Sequence, residues 1–159
     1  YDNAGQVCLS GTRLLVHESI ADAFADRFAA RAAQIVQGDP RDEATQIGPQ
    51  IHRVHLERVA GFVERAQADG AQIAFGGGPN DDLGGLYFRP TLITGAKPGS
   101  EILTAEVFGP VLAMQTCATD EEAVEIANAT EYGLAAVVVC GDRERAERER
   151  LAKARDLVA

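Results

Sequence analysis

The stretch YDNAGQVCLSGTR carries the residue of this chain best suited to covalent chemistry, Cys8. A nucleophilic enzyme needs a thiolate, and a free cysteine is only a few per cent ionised near neutral pH. A tight glycine-containing turn exposes the sulfur and offers a backbone N–H to a developing oxyanion. The residues around Cys8 leave two readings open, a nucleophile of this kind or a small buried hydrophobe. Cys8 lies among Gly5, Gln6, Ser10 and Gly11, whereas Cys117 and Cys140 each end an apolar run and are expected in the core. Two other constellations carry less. His52 and His55 stand one helical turn apart, as a metal pair would, but no carboxylate or third histidine at ligand spacing joins them, so no metal site is expected. FGGGPN at Phe75–Asn80 follows a strand pattern, as a phosphate loop does, yet lacks the G-x-G-x-x-G spacing and an opening helix.

Alternating strands and helices must position Cys8. RLLV at Arg13–Val16 reads as a short buried strand. Ile20, Phe24, Phe28, Ala32 and Ile35 or Val36 then recur at helical spacing. QGDP at Gln37–Pro40 is expected to end that helix. A second helix is expected from about Ile51 to Asp69, with Val59, Phe62, Val63 and Ala66 on its apolar face and Gly70 as its stop. AQIAF, PTLI and PVLAMQTC read as strands, and the segment from Gly76 to Gly85 as a loop. Thr119 or Asp120 caps a further helix. GLAAVVVC at Gly133–Cys140 reads as a fully buried strand from its unbroken apolar run. DRERAERERLAKARDL reads as a final helix with a solvated, charged face; its apolar residues Ala146, Leu151, Ala154 and Leu157 are too sparse for a coiled coil. This order implies an α/β layered fold.

Composition narrows the partners. With 159 residues and 46% hydrophobic content, the chain can build one sizeable core, filled mainly by aliphatic side chains because Trp is absent. A formal net charge of −9 repels nucleic acid and anionic membrane surfaces, so neither is an expected partner. No apolar run approaches the roughly 20 residues that a membrane helix needs. No signal peptide or transit segment is expected. Three cysteines without paired spacing argue against a disulfide framework, and a reducing, cytoplasmic location is expected.

Several landmarks occur in a fixed order: NAGQVCLSGTR, GDP at Gly38–Pro40, IGPQI at Ile47–Ile51, DGAQIAFGG at Asp69–Gly77, YFRPTLI at Tyr87–Ile93, AEVFGPVL at Ala105–Leu112 and ANATEYGLAAVV at Ala127–Val138. Together they resemble the catalytic domain of the aldehyde dehydrogenase superfamily. The resemblance implies a three-layer α/β/α sandwich over residues 1–159, truncated at both ends relative to the family. The dinucleotide-binding domain, a catalytic Glu base and an oxyanion Asn would precede it, and a Gly-x-x-x-Asn strand would follow.

By the same resemblance Cys8 is the nucleophile. It forms a thiohemiacetal with an aldehyde and then a thioester, and its backbone N–H is half of the oxyanion hole. Glu106 would hold the nicotinamide ribose hydroxyls of NAD or NADP, a task suited to a carboxylate that accepts from two vicinal hydroxyls; a solvated loop carboxylate is the other reading. Phe108 would pack near the nicotinamide, or serve as a core residue, or both. Gly109 and Pro110 fix the turn into the next strand. Ala105 departs from the family, many of whose members have an acidic residue there. His55 and Arg58 fall where members often contact the cofactor, and a surface helix face is the alternative. The implied function is NAD(P)-dependent oxidation of an aldehyde to a carboxylate. A coenzyme A-acylating dehydrogenase is one alternative, and an inactive structural or oligomerisation module is another. A homo-oligomer, most simply a dimer, is expected. Neither the aldehyde nor the choice between NAD and NADP is legible.

Overall fold

The computed structural model of the chain describes residues 1–148. Four strands form one sheet: β1 (Arg13–His17), β2 (Gln72–Phe75), β3 (Thr91–Thr94) and β4 (Val111–Cys117), in the order β1-β4-β3-β2. β4 runs parallel to both β1 and β3, and β2 closes the other edge antiparallel to β3. The helices are α1 (Ala21–Ala32), α2 (Arg53–Ala68), the short α3 (Glu101–Thr104) and α4 (Asp120–Asn128). The sequence pattern did not signal α3.

Strand alternation sends successive side chains to opposite faces, and here both faces are covered. Ile93, Val111 and Ala113 meet Leu56, Val59, Phe62, Val63 and Ala66 of α2 and Ile102 and Leu103 of α3. Leu92, Leu112 and Met114 point the other way and pack with Val16, Ala21, Phe24 and Phe28. The expected α/β/α layering is thus built from one apolar face on each of two helices. Tyr1 pins the chain start to the sheet by donating its hydroxyl to the Thr91 carbonyl at 2.8 Å.

Helix ends follow local chemistry. α2 starts at a histidine cap, where the Nδ1 of His52 accepts the His55 backbone N–H at 3.0 Å. It stops at Gly70, whose φ of +99° is the left-handed conformation that glycine adopts without strain. The Ala71 N–H bonds the Ala66 carbonyl and the Gly70 N–H bonds the Gln67 carbonyl, closing the last turn. At α4 the Thr119 hydroxyl accepts from the Glu122 N–H, and the Glu122 carboxylate accepts from the Ala118 N–H.

Three expectations need correction. The first helix ends at Ala32, before QGDP, and a turn at Ala33 and Gln34 intervenes. Residues 134–140 form no strand among the described residues; Leu134, Val137 and Val139 are 66%, 87% and 93% exposed. An unbroken apolar run specifies a strand only where neighbours pair with its backbone and layers cover both faces, and no described strand pairs with this one. Cys140 on that segment is consequently half-buried rather than in the core, whereas Cys117 is buried as expected. The expected final helix is present over residues 143–148, and Leu151, Ala154 and Leu157 lie outside the described residues.

Candidate active site

Cys8 occupies the tip of a tight turn. The Ser10 N–H bonds the Val7 carbonyl at 3.0 Å, so Cys8 and Leu9 are the corner residues, and Cys8 is exposed. Among the described residues no group accepts the Cys8 backbone N–H, which leaves it available to an oxyanion. The turn is held from below by a tight coil in which Asn3, Ala4 and Gly5 all have positive φ, +48°, +54° and +74°. Two non-glycine residues in the left-handed region are uncommon and require compensation. The Asn3 side chain donates to the Gln6 carbonyl, and the Asn3 carbonyl accepts from the Gln6 backbone N–H and side-chain amide. Buried Gln50 donates to the Ala4 carbonyl at 3.2 Å.

Gln6 also joins this coil to the segment before α2. Its side-chain amide reaches the Pro49 carbonyl, and its side-chain oxygen accepts the Ile51 N–H at 2.9 Å. The GQVC and IGPQI segments, far apart in sequence, are therefore one unit. Gln50 was not singled out from sequence. Its signal was a polar residue between Pro49 and Ile51 that proves almost wholly buried, at 2% exposure.

The second loop, Ala105–Pro110, lies against the first through glycine. A Cβ on Gly5 would sit 1.9 Å from the Gly109 carbonyl oxygen, and one on Gly109 would sit 2.6 Å from a Val59 methyl. Both distances are inside contact, so only glycine lets the Cys8 coil, the Glu106 loop and α2 approach this closely. The loop is anchored by Val107, which is buried, whereas Glu106 and Phe108 are half-exposed. Phe108 has a φ of +54°, an outlier for a bulky residue. The Glu106 carboxylate has no hydrogen-bond or ion-pair partner among the described residues. Its backbone carbonyl is the group that is held, by the Nη2 of Arg58 at 2.9 Å. The structure thus brings the loop of Cys8 and the loop of Glu106 and Phe108 together, and sets His55 and Arg58 against the second.

Arg13, which closes the cysteine signature, serves α4. Its guanidinium donates to the carbonyls of Ile126 and Ala127 and to the Thr130 hydroxyl. A cation at the carbonyl end of a helix complements both the open acceptors and the helix dipole. One ring nitrogen of each of His52 and His55 is engaged within the protein: the Nδ1 of His52 is the helix cap, and the Nε2 of His55 bonds the Phe108 carbonyl at 2.6 Å. Among the described residues no group of three potential metal ligands occurs. Burial raises the pKa of Cys117, with Glu122, Asp120 and Glu18 adding to the shift, so that thiol is held protonated.

Known proteins resemble this chain in sequence and in fold. The Aldehyde dehydrogenase family pattern matches residues 1–153. The chain is 43% identical over 149 residues to aminoaldehyde dehydrogenase 2 of Zea mays, covering 93% of this chain and 29% of that protein. It is 41% identical over 146 residues to a betaine aldehyde dehydrogenase of Cereibacter sphaeroides, covering 92% and 30%. The crystal structure of betaine aldehyde dehydrogenase from Staphylococcus aureus in complex with NAD+ superposes with a TM-score of 0.91 at 39% identity, over 94% of this chain and 30% of that one. The chain therefore spans about 30% of the length of these relatives. With the family pattern matching nearly its whole length, the chain belongs to the aldehyde dehydrogenase family.

Proposed function

We propose that this chain carries the nucleophile and the nicotinamide-facing loop of an NAD(P)-dependent aldehyde dehydrogenase. The observation that carries this reading is the contact of Gly5 with Gly109, which places the exposed Cys8 turn beside the loop of Glu106 and Phe108. The residues suit a dinucleotide. Glu106 offers an unpartnered, half-exposed carboxylate to vicinal hydroxyls, and Phe108 offers a half-exposed ring beside it. When bound there, the nicotinamide supplies acceptance of a hydride. The Cys8 thiolate adds to the aldehyde carbonyl, forming a C–S bond, and its backbone N–H donates to the resulting oxyanion. Loss of hydride from that carbon leaves a thioester on Cys8. Water then breaks the C–S bond, releasing the carboxylate and returning the thiol.

The named activities of the relatives put aldehydes bearing an amino or quaternary ammonium group first among substrates to try. The exposed Leu134, Val137 and Val139 favour association with a second copy. A cytoplasmic location remains part of the proposal; no helix among the described residues is long and apolar enough to cross a membrane, and three relatives, one of them from Atriplex hortensis, are named as chloroplastic.

The test uses the full-length enzyme carrying this segment, mixed with an aldehyde and NAD+ or NADP+. Absorbance at the reduced nicotinamide band should rise, and acid-quenched protein should carry the acyl mass on the Cys8 peptide. Cys8→Ser should lose both. Reduced cofactor formed at the parent rate by Cys8→Ser would refute the assignment.

A further inference from the structure

Three consecutive backbone carbonyls of the Glu106 loop are held from one face of α2. Arg58 donates through Nη2 to the Glu106 carbonyl at 2.9 Å and through Nη1 to the Val107 carbonyl at 2.7 Å. His55 bonds the next, that of Phe108, at 2.6 Å. A carbonyl only accepts, so the Nε2 of His55 carries the proton. In extended chain successive carbonyls alternate in direction. Three in a row can face one helix only where the backbone is folded back, and the left-handed Phe108 supplies that fold.

The donors are themselves fixed. His55, Arg58 and Phe62 follow the i, i+3, i+7 spacing of one helix face. The Arg58 guanidinium carbon lies 4.8 Å from the centroid of the Phe62 ring, within cation–π range. Arg65 flanks the same ring at 4.9 Å and pairs with Glu101 of α3 at 2.7 Å. Each terminal nitrogen of Arg58 therefore gives one N–H to the loop. The planar fork of a guanidinium can bridge two adjacent carbonyls, whereas an ammonium presents a single point of donation.

We propose that Arg58 and His55 are positioning residues: they clamp the Glu106–Phe108 backbone in its left-handed form and so aim the Glu106 carboxylate and the Phe108 ring. This rests on the reading of Glu106 and Phe108 as the nicotinamide-facing pair. The clamp explains how a half-exposed loop with a strained residue keeps one conformation before the cofactor arrives. Preorganisation of this kind lowers the ordering cost of binding.

The full-length enzyme carrying this segment is compared with its Arg58→Lys, His55→Gln and His55→Ala variants by two measurements, and with Glu106→Gln, which lacks the cleavage site of the second, by the first alone. The first is the dissociation constant of the cofactor together with kcat. The second, made without cofactor, is the rate of Glu-C nicking after Glu106, which reads opening of the loop at buried Val107. Arg58→Lys keeps charge and length but loses the fork. It should weaken cofactor binding about tenfold, the worth of one charge-assisted hydrogen bond, and accelerate nicking by a similar factor. His55→Ala should do the same, and His55→Gln, whose amide can donate to the Phe108 carbonyl, should restore both to within about twofold. Weaker cofactor binding by Arg58→Lys with unchanged nicking would overturn the proposal and make Arg58 a direct cofactor contact. Parent-like values in both measurements would overturn it as well. Failure of the underlying reading looks different: Glu106→Gln would then bind and turn over cofactor as the parent does, while nicking of the variants that keep Glu106 still reports whether the clamp exists.

Discussion

Replacing Gly5 with alanine tests the contact on which the site depends. Two costs add. At a φ of +74° a Cβ is strained, worth about 1–2 kcal/mol for an L-residue in the left-handed region. The substitution also stiffens the unfolded chain, which returns about 0.4–1 kcal/mol. The second cost is steric: the new Cβ would lie 1.9 Å from the Gly109 oxygen and 2.3 Å from its carbonyl carbon. These are backbone atoms and cannot swing aside as a side-chain tip would, so the loops must part, at about 1–3 kcal/mol by analogy with overpacked cores. The net expectation for Gly5→Ala is a loss of about 2–4 kcal/mol. Gly70→Ala isolates the first cost, because Gly70 has a φ of +99° with nothing within 4 Å of its Cβ position; it should lose about 1 kcal/mol. Gly11→Ala carries neither cost, with open space around the added carbon, and should be neutral or slightly stabilising. Urea denaturation reads all three. With an m-value near 2 kcal/mol/M, Gly5→Ala should lower the midpoint by about 1–2 M. A midpoint for Gly5→Ala equal to that of Gly70→Ala would show that the Cys8 coil and the Glu106 loop are not in backbone contact, and the site argument would fall with it.

Iodoacetamide should label Cys8 before Cys117 and Cys140, because Cys8 is exposed and Cys117 is buried with its pKa raised. The Cys117 rate should climb only as pH rises beyond the ordinary thiol range; peptide mapping that finds Cys117 or Cys140 modified first would count against Cys8. Glu106→Gln in the full-length enzyme should slow hydride transfer or weaken cofactor positioning while stability changes by less than about 1 kcal/mol, as at most surface positions. Early melting with parent kinetics would make the carboxylate structural. The chain should self-associate through surface that includes Leu134, Val137 and Val139, and light scattering coupled to gel filtration should give a mass above the monomer's 16.9 kDa at micromolar concentration. A monomer mass would show that surface to be stably solvated.

Local chemistry made much of this protein legible in its sequence. Val59, Phe62, Val63 and Ala66 recur at helical spacing because one stripe of α2 must face the sheet. Gly70 and Thr119 mark helix ends because a left-handed stop and a side-chain cap are properties of single residues. Cys8 stood out because its neighbours are glycine and polar residues, and NAGQVC with EVFGPV identified the family. What those patterns could not specify was who covers whom. GLAAVVVC has the composition of a buried strand but no described partner, since burial is a property of the neighbours and not of the segment. Arg13 belongs by sequence to the cysteine motif and by tertiary structure to the end of α4. His55 and Arg58 left a surface face and a cofactor contact equally open. Only the folded chain, by bringing α2 beside the backbone of residues 106–108, shows that they bond three consecutive carbonyls. Spacing along the chain encodes local conformation, whereas hydrogen bonds between distant segments exist only once the core has brought those segments together.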